Sequence, residues 1–581
     1  NYNSTRHINW DRLYNVNYHN TDSDGFSRSK YIVEERRTDQ NDINLNGSVK
    51  WRANDWFTLT GGVNYRWNRT EYYKLADDLL GGDYYVNIDQ FAERDFASDQ
   101  AMIQNDLDYY IANGFAQKLS RGDKYGYDYY ANVRDAEIWA NAAFEKGHFR
   151  GYAALQAGYN KFWRDGVYRK GLFAGLDDNG NEIYSPDTGN LLTSYDKDGN
   201  VITSKGRSDV ADFFTYSAKL GASWFFTGGH RVYANAAYIN DAPTFNQSFI
   251  SPRTRNTIVP NLTTTKTVSA DINYTYSNNG YDVRVTGFWT KIMDQTDMMS
   301  FYDDSQNSFT NFAMTGIDQR HVGIEVGFEI PLYLQNLFLQ GVLSWGEYIY
   351  TSTPYMTQTI DNSAEVIIDN QPVTYWKSHP VYRKAIVDGV AEYEKDASGS
   401  YILDKEQKHY VPSTPQLAAN LGLRYRTNSY WFFELNGQFF ANSYLDMNPL
   451  YRTMTAVAGP DNAMTDAALA EHSSTWFLNE SIERNMGLSP AEIEYMAAQE
   501  KFKPVFLLNA SIGKSWYIDR KYNFGFSLEV KNILNNTGVK TGGYEQTRLI
   551  DSESMKRYYR FDSKYFYMSG INYMLNLYFR F

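Results

Sequence analysis

The sequence contains no cysteine, and this absence removes several kinds of chemistry at once. Without thiols the chain can form no disulfide, no thiolate metal centre and no cysteine-based nucleophile. It also has no stretch near the ~18 consecutive apolar residues of a membrane helix, so it could cross a bilayer only with strands. Its net charge of −12 is spread along the chain without a basic cluster, which argues against nucleic acid as a partner.

Recognisable enzyme motifs are also absent. The eight histidines, including His148, His230, His321 and His379, show no HExxH pair or other metal-ligand spacing. No GxSxG, phosphate-loop or dinucleotide fingerprint occurs in a strand–turn–helix context. We therefore expect no enzyme activity, and we assign no catalytic residue, cofactor or metal ligand.

Two polar segments, 177–182 and 196–200, resemble the beginnings of calcium-binding loops. The second lacks glycine at its sixth position and has Arg207 where a bidentate glutamate is needed. Asn-Gly and Asp-Gly are strong hairpin formers, so turn tips are the favoured interpretation of both segments. Calcium in the outer loops would need ligands from elsewhere in the chain.

Aromatic residues make up 17% of the chain, yet its mean hydropathy is −0.57. Residues 567–581 show how a chain rich in aromatic residues can have a low mean hydropathy, because apolar and polar side chains alternate along this segment. One face has Tyr573, Leu575 and Leu577, whereas the other has Asn576 and Arg580. Successive side chains of a strand point to opposite faces, so one face could meet lipid and the other water. Such a strand, ending in Phe, is typical of an outer-membrane β-barrel.

Tight turns and long connections alternate along the chain. The turns lie at 53–56, 145–148, 227–229, 277–280, 333–336, 426–429 and 519–522, and the long polar connections at 74–133, 170–210, 356–409, 454–502 and 537–563. Short turns at one rim and long loops at the other are typical of outer-membrane barrels. Two strands per turn and the terminal strand give fifteen, and residues 6–18 are expected to add one more. We predict an all-β fold, a transmembrane antiparallel β-barrel of about 16 strands, filling residues 1–581 as one domain.

Several strands allow the two faces to be assigned. The apolar sets are Phe524, Phe526, Leu528 and Val530; Trp431, Phe433, Leu435 and Phe439; and Leu417, Ala419, Leu421, Leu423 and Tyr425. The opposite faces contain Glu434, Glu529, Lys531, Arg424 and Arg580, which are too costly to place in lipid and are expected to face the lumen. There they either set selectivity or brace the wall through ion pairs. The strands of a secreted β-sandwich or propeller also alternate between polar and apolar side chains. However, alternating runs such as 31–53 and 281–304 greatly exceed the usual ~5–6 residues of a globular strand, which favours the barrel.

Two loops are expected to contain helices, and a third segment is a candidate binding element. Ser489-Pro490-Ala491-Glu492 reads as a capping box that opens a helix toward Glu500, and residues 98–112 form the second candidate helix. The tyrosine-rich loop 125–130 contains the candidate substrate-binding residues Tyr125, Tyr127, Tyr129 and Tyr130. Their rings could stack on sugars, peptide side chains or an aromatic chelate, or they could form an aromatic packing cluster.

Several stretches, in order along the chain, resemble the TonB-dependent outer-membrane receptor family of Gram-negative bacteria. They are Ala234-Asn-Ala-Ala-Tyr238 with Ala242-Pro-Thr-Phe245, Pro260-Asn-Leu262 with Lys266, Thr267 and Ser269, Gly287-Phe-Trp-Thr-Lys-Ile-Met-Asp294, Val322-Gly-Ile-Glu325 and Val530-Lys-Asn-Ile-Leu-Asn535. The chain departs from the family pattern at Thr263-Thr-Thr265, where Pro and Glu are usual, and at Val322, where Arg or Asn is usual. The match covers residues 234–581.

The resemblance implies a barrel of about 22 strands, plugged by an N-terminal domain that is not recognisable in this chain. It also implies an importer in the cell outer membrane, in contact with its lipid and driven through a periplasmic TonB-type energy-coupling protein. The substrate would be a small nutrient, a glycan or a peptide. Two rivals stay open: a passive substrate-specific porin, and a surface receptor or scaffold barrel that binds a lipoprotein partner.

Overall fold

The computed structural model describes residues 7–303, 308–363, 366–387, 389–453, 490–519, 521–546, 549–552 and 557–581. One antiparallel sheet, which also includes three short strands at the loop end, is formed by fifteen long strands that each pair with their neighbours along this series. They are β1 (Val33–Arg52), β2 (Phe57–Asp78), β3 (Lys124–Lys146), β4 (Phe149–Gly166), β5 (Ala211–Phe225), β6 (His230–Asp241), β7 (Thr265–Asn278), β8 (Tyr281–Asp303), β9 (Ser308–Pro331), β10 (Leu337–Tyr350), β11 (Leu417–Arg426), β12 (Trp431–Ala441), β13 (Val505–Ile518), β14 (Tyr522–Lys531) and β15 (Asn572–Arg580).

All seven predicted tight turns join consecutive strands of this sheet. Between β7 and β8, Asn279 and Gly280 both have positive φ, 51° and 83°. This backbone conformation matches the right-handed twist of the flanking strands, and Asn-Gly adopts it at little cost. The opposite ends of the strands are connected mainly by long segments, so the sheet has a turn end and a loop end, as predicted.

The prediction of a sixteenth strand within residues 6–18 is wrong, because this segment contains a helix, α1 (Trp10–Tyr18). The Asn9 side chain accepts a hydrogen bond from the Arg12 backbone N–H at 3.1 Å and caps the helix. Trp10, Tyr14 and Tyr18 recur at the four-residue spacing of one helix face.

The terminal strand is also shorter than predicted, since β15 begins at Asn572 rather than at residue 567. Asparagine side chains of the preceding loop bind its backbone just before the strand. Ile571 N–H donates to Asn535 Oδ1 at 2.9 Å, and Asn532 Nδ2 donates to the Ser569 carbonyl at 3.2 Å. These bonds take the place of ladder bonds, so residues 568–571 leave the sheet.

The two edges of the sheet are β1 and β15. In the part of the chain that the structure describes, β1 pairs with β2 alone and β15 with β14 alone. Closure into a complete barrel, and the total of 22 strands, therefore stay predictions. No helix within the described ranges is long and apolar enough to cross a membrane.

The two faces of the sheet have opposite chemistry, as predicted. Leu423 pairs with Leu435, and Leu528 with Leu575, so apolar side chains continue from strand to strand. Many remain in contact with solvent, for example Leu155, which is 65% exposed. We call this side the apolar face and the opposite side the polar face.

Side chains on the polar face bind one another across the strands. Gln340 Nε2 donates to Glu434 Oε1 at 2.9 Å and to Asn436 Oδ1 at 3.2 Å, and Arg424 pairs with Glu329. The other predicted lumenal charges are also engaged: Lys531 pairs with Glu529 at 3.4 Å, and Arg580 lies 5.9 Å from the Tyr578 ring centroid. These contacts favour the bracing role for the charges.

The loop end has its own secondary structure. Helices are α2 (Gln90–Phe96), α3 (Leu107–Asn113), α4 (Phe245–Ser248) and α5 (Pro490–Ala497), with short 3-10 turns at Gly171–Phe173, Thr227–Gly229 and Leu450–Arg452, the second of these at the turn end. Small strands are Tyr85–Val86, Lys118–Leu119, Ser194–Tyr195, Val201–Ile202, Gly206–Arg207, Tyr355–Ile360, Val366–Pro372, Ser378–Tyr382, Lys384–Val387, Val390–Tyr393, Leu403–Lys408, Lys540–Tyr544, Leu549–Ser552, Arg557–Arg560 and Lys564–Tyr567.

Of the two predicted loop helices, one is confirmed and the other is wrong. The helix α5 lies where one was expected, although Ser489, its predicted cap, falls outside the described residues. The single helix expected over 98–112 is wrong. Two short helices flank a turn there, because Asp89 caps α2 and Asp106 caps α3, each through its side chain.

Loops from distant strands meet over the polar face. The ring of Phe91 in α2 lies 5.7 Å from the ring of Phe309, at the loop end of β9, and Asn362 Nδ2 donates to Asp95. The connection between β2 and β3 thus reaches the β8–β9 hairpin, six strands further along the sheet.

Candidate ligand site at the loop end

The tyrosine-rich segment predicted to be a loop is the first part of strand β3, at the loop end of the sheet. Tyr129 pairs with Tyr72 and Tyr130 with Glu71, and then the register shifts so that Tyr125 pairs with Lys74. A bulge therefore contains residues 126–127, and Gly126 has a φ of 73° that suits glycine. Sequence reasoning missed the strand because the bulge breaks the alternation.

The side chains of the four candidate tyrosines lie in different environments on the two sides of the sheet. Tyr130 lies on the side of the sheet that continues the apolar face, where its hydroxyl donates to Glu71 at 2.9 Å and Arg69 lies 4.0 Å from its ring centroid. Tyr125 and Tyr129 are buried. Tyr127 is partly exposed on the polar face, so it is the member of the set best placed to contact a ligand.

The two buried tyrosines serve the packing of the loop end. The Tyr125 hydroxyl donates to Glu34 at 2.6 Å, and the Tyr129 ring stacks on Tyr72 at 5.1 Å. Tyr129 also belongs to a core that includes Phe162, Phe245 and Phe249, which fixes the loop after β6 against the polar face.

A group of cations surrounds Tyr127. Lys74 Nζ lies 5.5 Å from its ring centroid, and Glu34 bridges Lys74 at 3.0 Å and Arg36 at 2.6 Å. Burial works against ionisation of Glu34, but the hydrogen bonds from Tyr125, Lys74 and Arg36 outweigh it and lower the pKa of this carboxyl to about 2. The Glu34 carboxylate is therefore charged and committed to its neighbours at neutral pH.

Arg253 completes the group from the loop between β6 and β7. Its guanidinium lies 5.4 Å from the Phe309 ring centroid, and no ion pair involves it within the described ranges. Arg253 follows Pro252, whose carbonyl accepts a hydrogen bond from Arg164 Nε at 2.6 Å. The Arg164 guanidinium lies 4.9 Å from the Tyr129 ring centroid, and the Tyr129 and Tyr127 ring centroids are 6.1 Å apart. Burial raises the pKa of the Tyr127 hydroxyl, and the charges of Arg253 and Arg36 oppose that rise. We call Glu34, Arg36, Lys74, Tyr127 and Arg253 the loop-end cluster.

The calcium-like segments form turn tips, as favoured. Asp177 Oδ1 accepts from the backbone N–H groups of Asn179 at 2.9 Å and Asn181 at 2.7 Å. Asp196 makes the same pair of bonds with Asp198 and Asn200. These carboxylates hold their own turns, and no group of three or more potential metal-ligating side chains occurs in the described part of the chain.

An ion cluster, which sequence reasoning missed, joins the connection between β12 and β13 to the connection between β14 and β15, and Arg452 and Glu545 in it are fully buried. Arg452 and Arg560 both pair with Glu545, and both donate to the Ala498 carbonyl, at 2.9 and 2.8 Å. Burial lowers the pKa of Arg452, and the Glu545 carboxylate opposes that shift. No local sequence pattern predicts this cluster, because its members lie up to 108 residues apart in sequence (452 to 560).

Two histidines lie near Arg452. His379 Nδ1 and His409 Nε2 are 2.8 Å apart, and His409 Nδ1 lies 3.0 Å from the Trp376 carbonyl. Burial and the Arg452 charge lower the pKa of His379 to about 4, so this pair is neutral at physiological pH.

No protein-family model and no curated protein matches this chain. Its course resembles solved structures of about 11% identity. They include the copper transporter OprC (TM-score 0.48, 94% of this chain and 59% of that chain), the FrpB iron transporter from Neisseria meningitidis (0.45, 94% and 55%) and the ferric citrate transporter FecA (0.43, 11% identity, 93% and 55%). The chain thus spans less than two thirds of each of these structures.

Proposed function

We propose that this chain forms part of the wall of an outer-membrane transporter. The observation that carries the proposal is the apolar face, which runs across fifteen strands while the charged networks lie on the other side. Apolar side chains exposed over such an area would be a liability in water, and lipid is the environment that satisfies them. The polar face then lines a lumen.

The transporter is an active importer of the TonB-dependent kind. The stretches that resemble this family lie on or beside β6, β7, β8, β9 and β14, in the same order as in the family. The substrate, a small nutrient, glycan or peptide, binds at the loop end, and a periplasmic TonB-type protein supplies energy from the inner membrane. The alternatives are a passive substrate-specific porin and a surface receptor or scaffold barrel that binds a lipoprotein partner.

Growth and uptake distinguish this function from that of a porin. A strain that lacks the gene would be compared with the same strain complemented with the gene. Both would be grown on media in which the source of iron, vitamin, glycan or peptide is varied. An importer predicts that one source supports only the complemented strain, and that removing the TonB-type protein abolishes this growth. Growth that persists without the coupling protein would indicate a passive porin, and no difference between the strains on any source would refute import.

A further inference from the structure

We propose that the loop-end cluster binds an anionic group of the ligand, a carboxylate or a phosphate, beside an aromatic or apolar part that packs on Tyr127. This proposal rests on the proposed function, since it names the chemical class of the imported substrate.

The cluster has a surplus of positive charge. It contains three cations, Arg36, Lys74 and Arg253, and one carboxylate, Glu34. The chain as a whole has a net charge of −12, so the local sign is opposite to the overall one. Burial lowers the pKa of Lys74, the charge and hydrogen bond of Glu34 oppose that shift, and the charges of Lys170 and Arg36 add to it.

Among the described residues, two of the cations have guanidinium donors that no neighbour occupies. The Arg36 side chain is 65% exposed although it touches Glu34 through Nε. The Arg253 guanidinium lies 5.4 Å from the Phe309 ring centroid and makes no hydrogen bond or ion pair within the described ranges. A guanidinium binds two oxygens of a carboxylate or phosphate at once, which a lysine cannot do.

The position of the cluster excludes membrane lipid as the source of the anion. The cluster lies on the polar face, whereas Arg69 and Tyr130 form a comparable cation–ring pair on the opposite side of the same strands. A lipid phosphate outside the barrel would meet Arg69 and not Arg253. The pair of Arg69 and Tyr130 is therefore a matched control for the proposed site.

The test uses the full chain in detergent micelles and pyrenetetrasulfonate, an aromatic polyanion, as the fluorescent probe. We expect saturable binding that weakens with salt and that citrate or pyrophosphate displaces. Arg253→Gln and Arg36→Gln should each weaken binding about tenfold or more, the usual effect of losing a hydrogen bond to a charged group. Arg69→Gln should leave the affinity within about twofold.

Three results would overturn the inference. They are no saturable binding of the probe to the unaltered chain, an equal loss of probe affinity in Arg69→Gln and Arg253→Gln, or displacement of the probe by a cationic pyrene as effective as displacement by citrate. A heat-modifiability gel on each variant shows that the sheet is folded. Binding needs no energy coupling, so the two proposals fail separately. A chain that binds the probe but imports nothing would refute the importer alone, and import that is unchanged by Arg253→Gln would refute the anion site alone.

Discussion

Replacing Leu575 by arginine tests which face of the sheet meets lipid. Leu575 is 57% exposed on the apolar face of β15 and pairs with Leu528. It lies five residues from Arg580, at the turn end. With a rise of about 3.3 Å per residue and a tilt of about 40°, this places it about 13 Å above the turn end, near the middle of an apolar band about 25 Å tall.

An arginine at that depth costs about 2–4 kcal/mol in a membrane barrel. The adjacent Asn576 points to the polar face, where it pairs with Ser527 and an added arginine can reach water. We therefore expect Leu575→Arg to lower the folding equilibrium about 30- to 700-fold relative to Asn576→Arg.

The measurement is refolding into lipid vesicles, followed by heat-modifiability on a gel and by urea titration. Leu575→Phe serves as the control for a change of shape without charge, and its folded yield should match that of the unaltered chain. Equal loss of folded protein from the two arginine variants would show that the face assignment is wrong. A larger loss from Asn576→Arg would reverse the assignment.

Three further predictions concern the loop end. Tyr127→Leu should weaken pyrenetetrasulfonate binding about fivefold through lost stacking, whereas Tyr130→Leu, on the other side of the sheet, should leave it unchanged; equal effects would contradict the placement of Tyr127. Glu545→Gln leaves Arg452 and Arg560 without a counter-charge and should destabilise the loops by about 3–5 kcal/mol, seen as faster proteolysis of the loops in a sheet that stays heat-modifiable; proteolysis at the original rate would refute the bracing role of this cluster. The lowered pKa of His379, about 4 in the fold against about 6.5 unfolded, predicts loop packing that is complete above about pH 6.5 and weakens as the pH falls toward 4. Burial and Asp297 raise the pKa of Asp446 to about 6, so its contribution has the opposite sign, present below about pH 4 and lost as the pH rises through 6. Hydrogen exchange of the loops should show only the Asp446 trend in the double variant His379→Gln/His409→Gln and only the histidine trend in Asp446→Asn, because burial lowers the pKa of His409 as well. Identical profiles in both variants would refute the assignment.

The sequence predicts the sheet well because each hairpin is specified locally. Alternation such as that of Leu528 and Glu529 determines the face, and Asn279-Gly280 determines a turn. Local signals fail where side chains bind backbone at a distance. Asn532 and Asn535 bind the backbone just before the last strand, so residues 568–571 leave the sheet, and no pattern within residues 567–581 could show it.

The site was harder to predict than the sheet. A cluster of tyrosines could be identified from the sequence, but the bulge at residues 126–127 decides which ring faces the polar side. Arg253 comes from a loop 126 residues further along the chain (127 to 253), and only the folded loop after β6 brings it to Tyr127. Long-range placement of this kind depends on the packing of Phe245 and Phe249, which leaves no periodic signal.

The odd number of strands has a consequence for the direction of the two edges. In an antiparallel series of fifteen, β1 and β15 run the same way, each from the loop end to the turn end. A seam made directly between them would be parallel, the single such pair in an otherwise antiparallel sheet. A ring built from antiparallel pairs alone needs an odd number of strands between these two edges. A barrel of about 22 strands meets this condition, because seven would complete it. Adding or removing whole hairpins cannot change the parity, so strands that complete such a ring would have to include one strand beyond a set of whole hairpins.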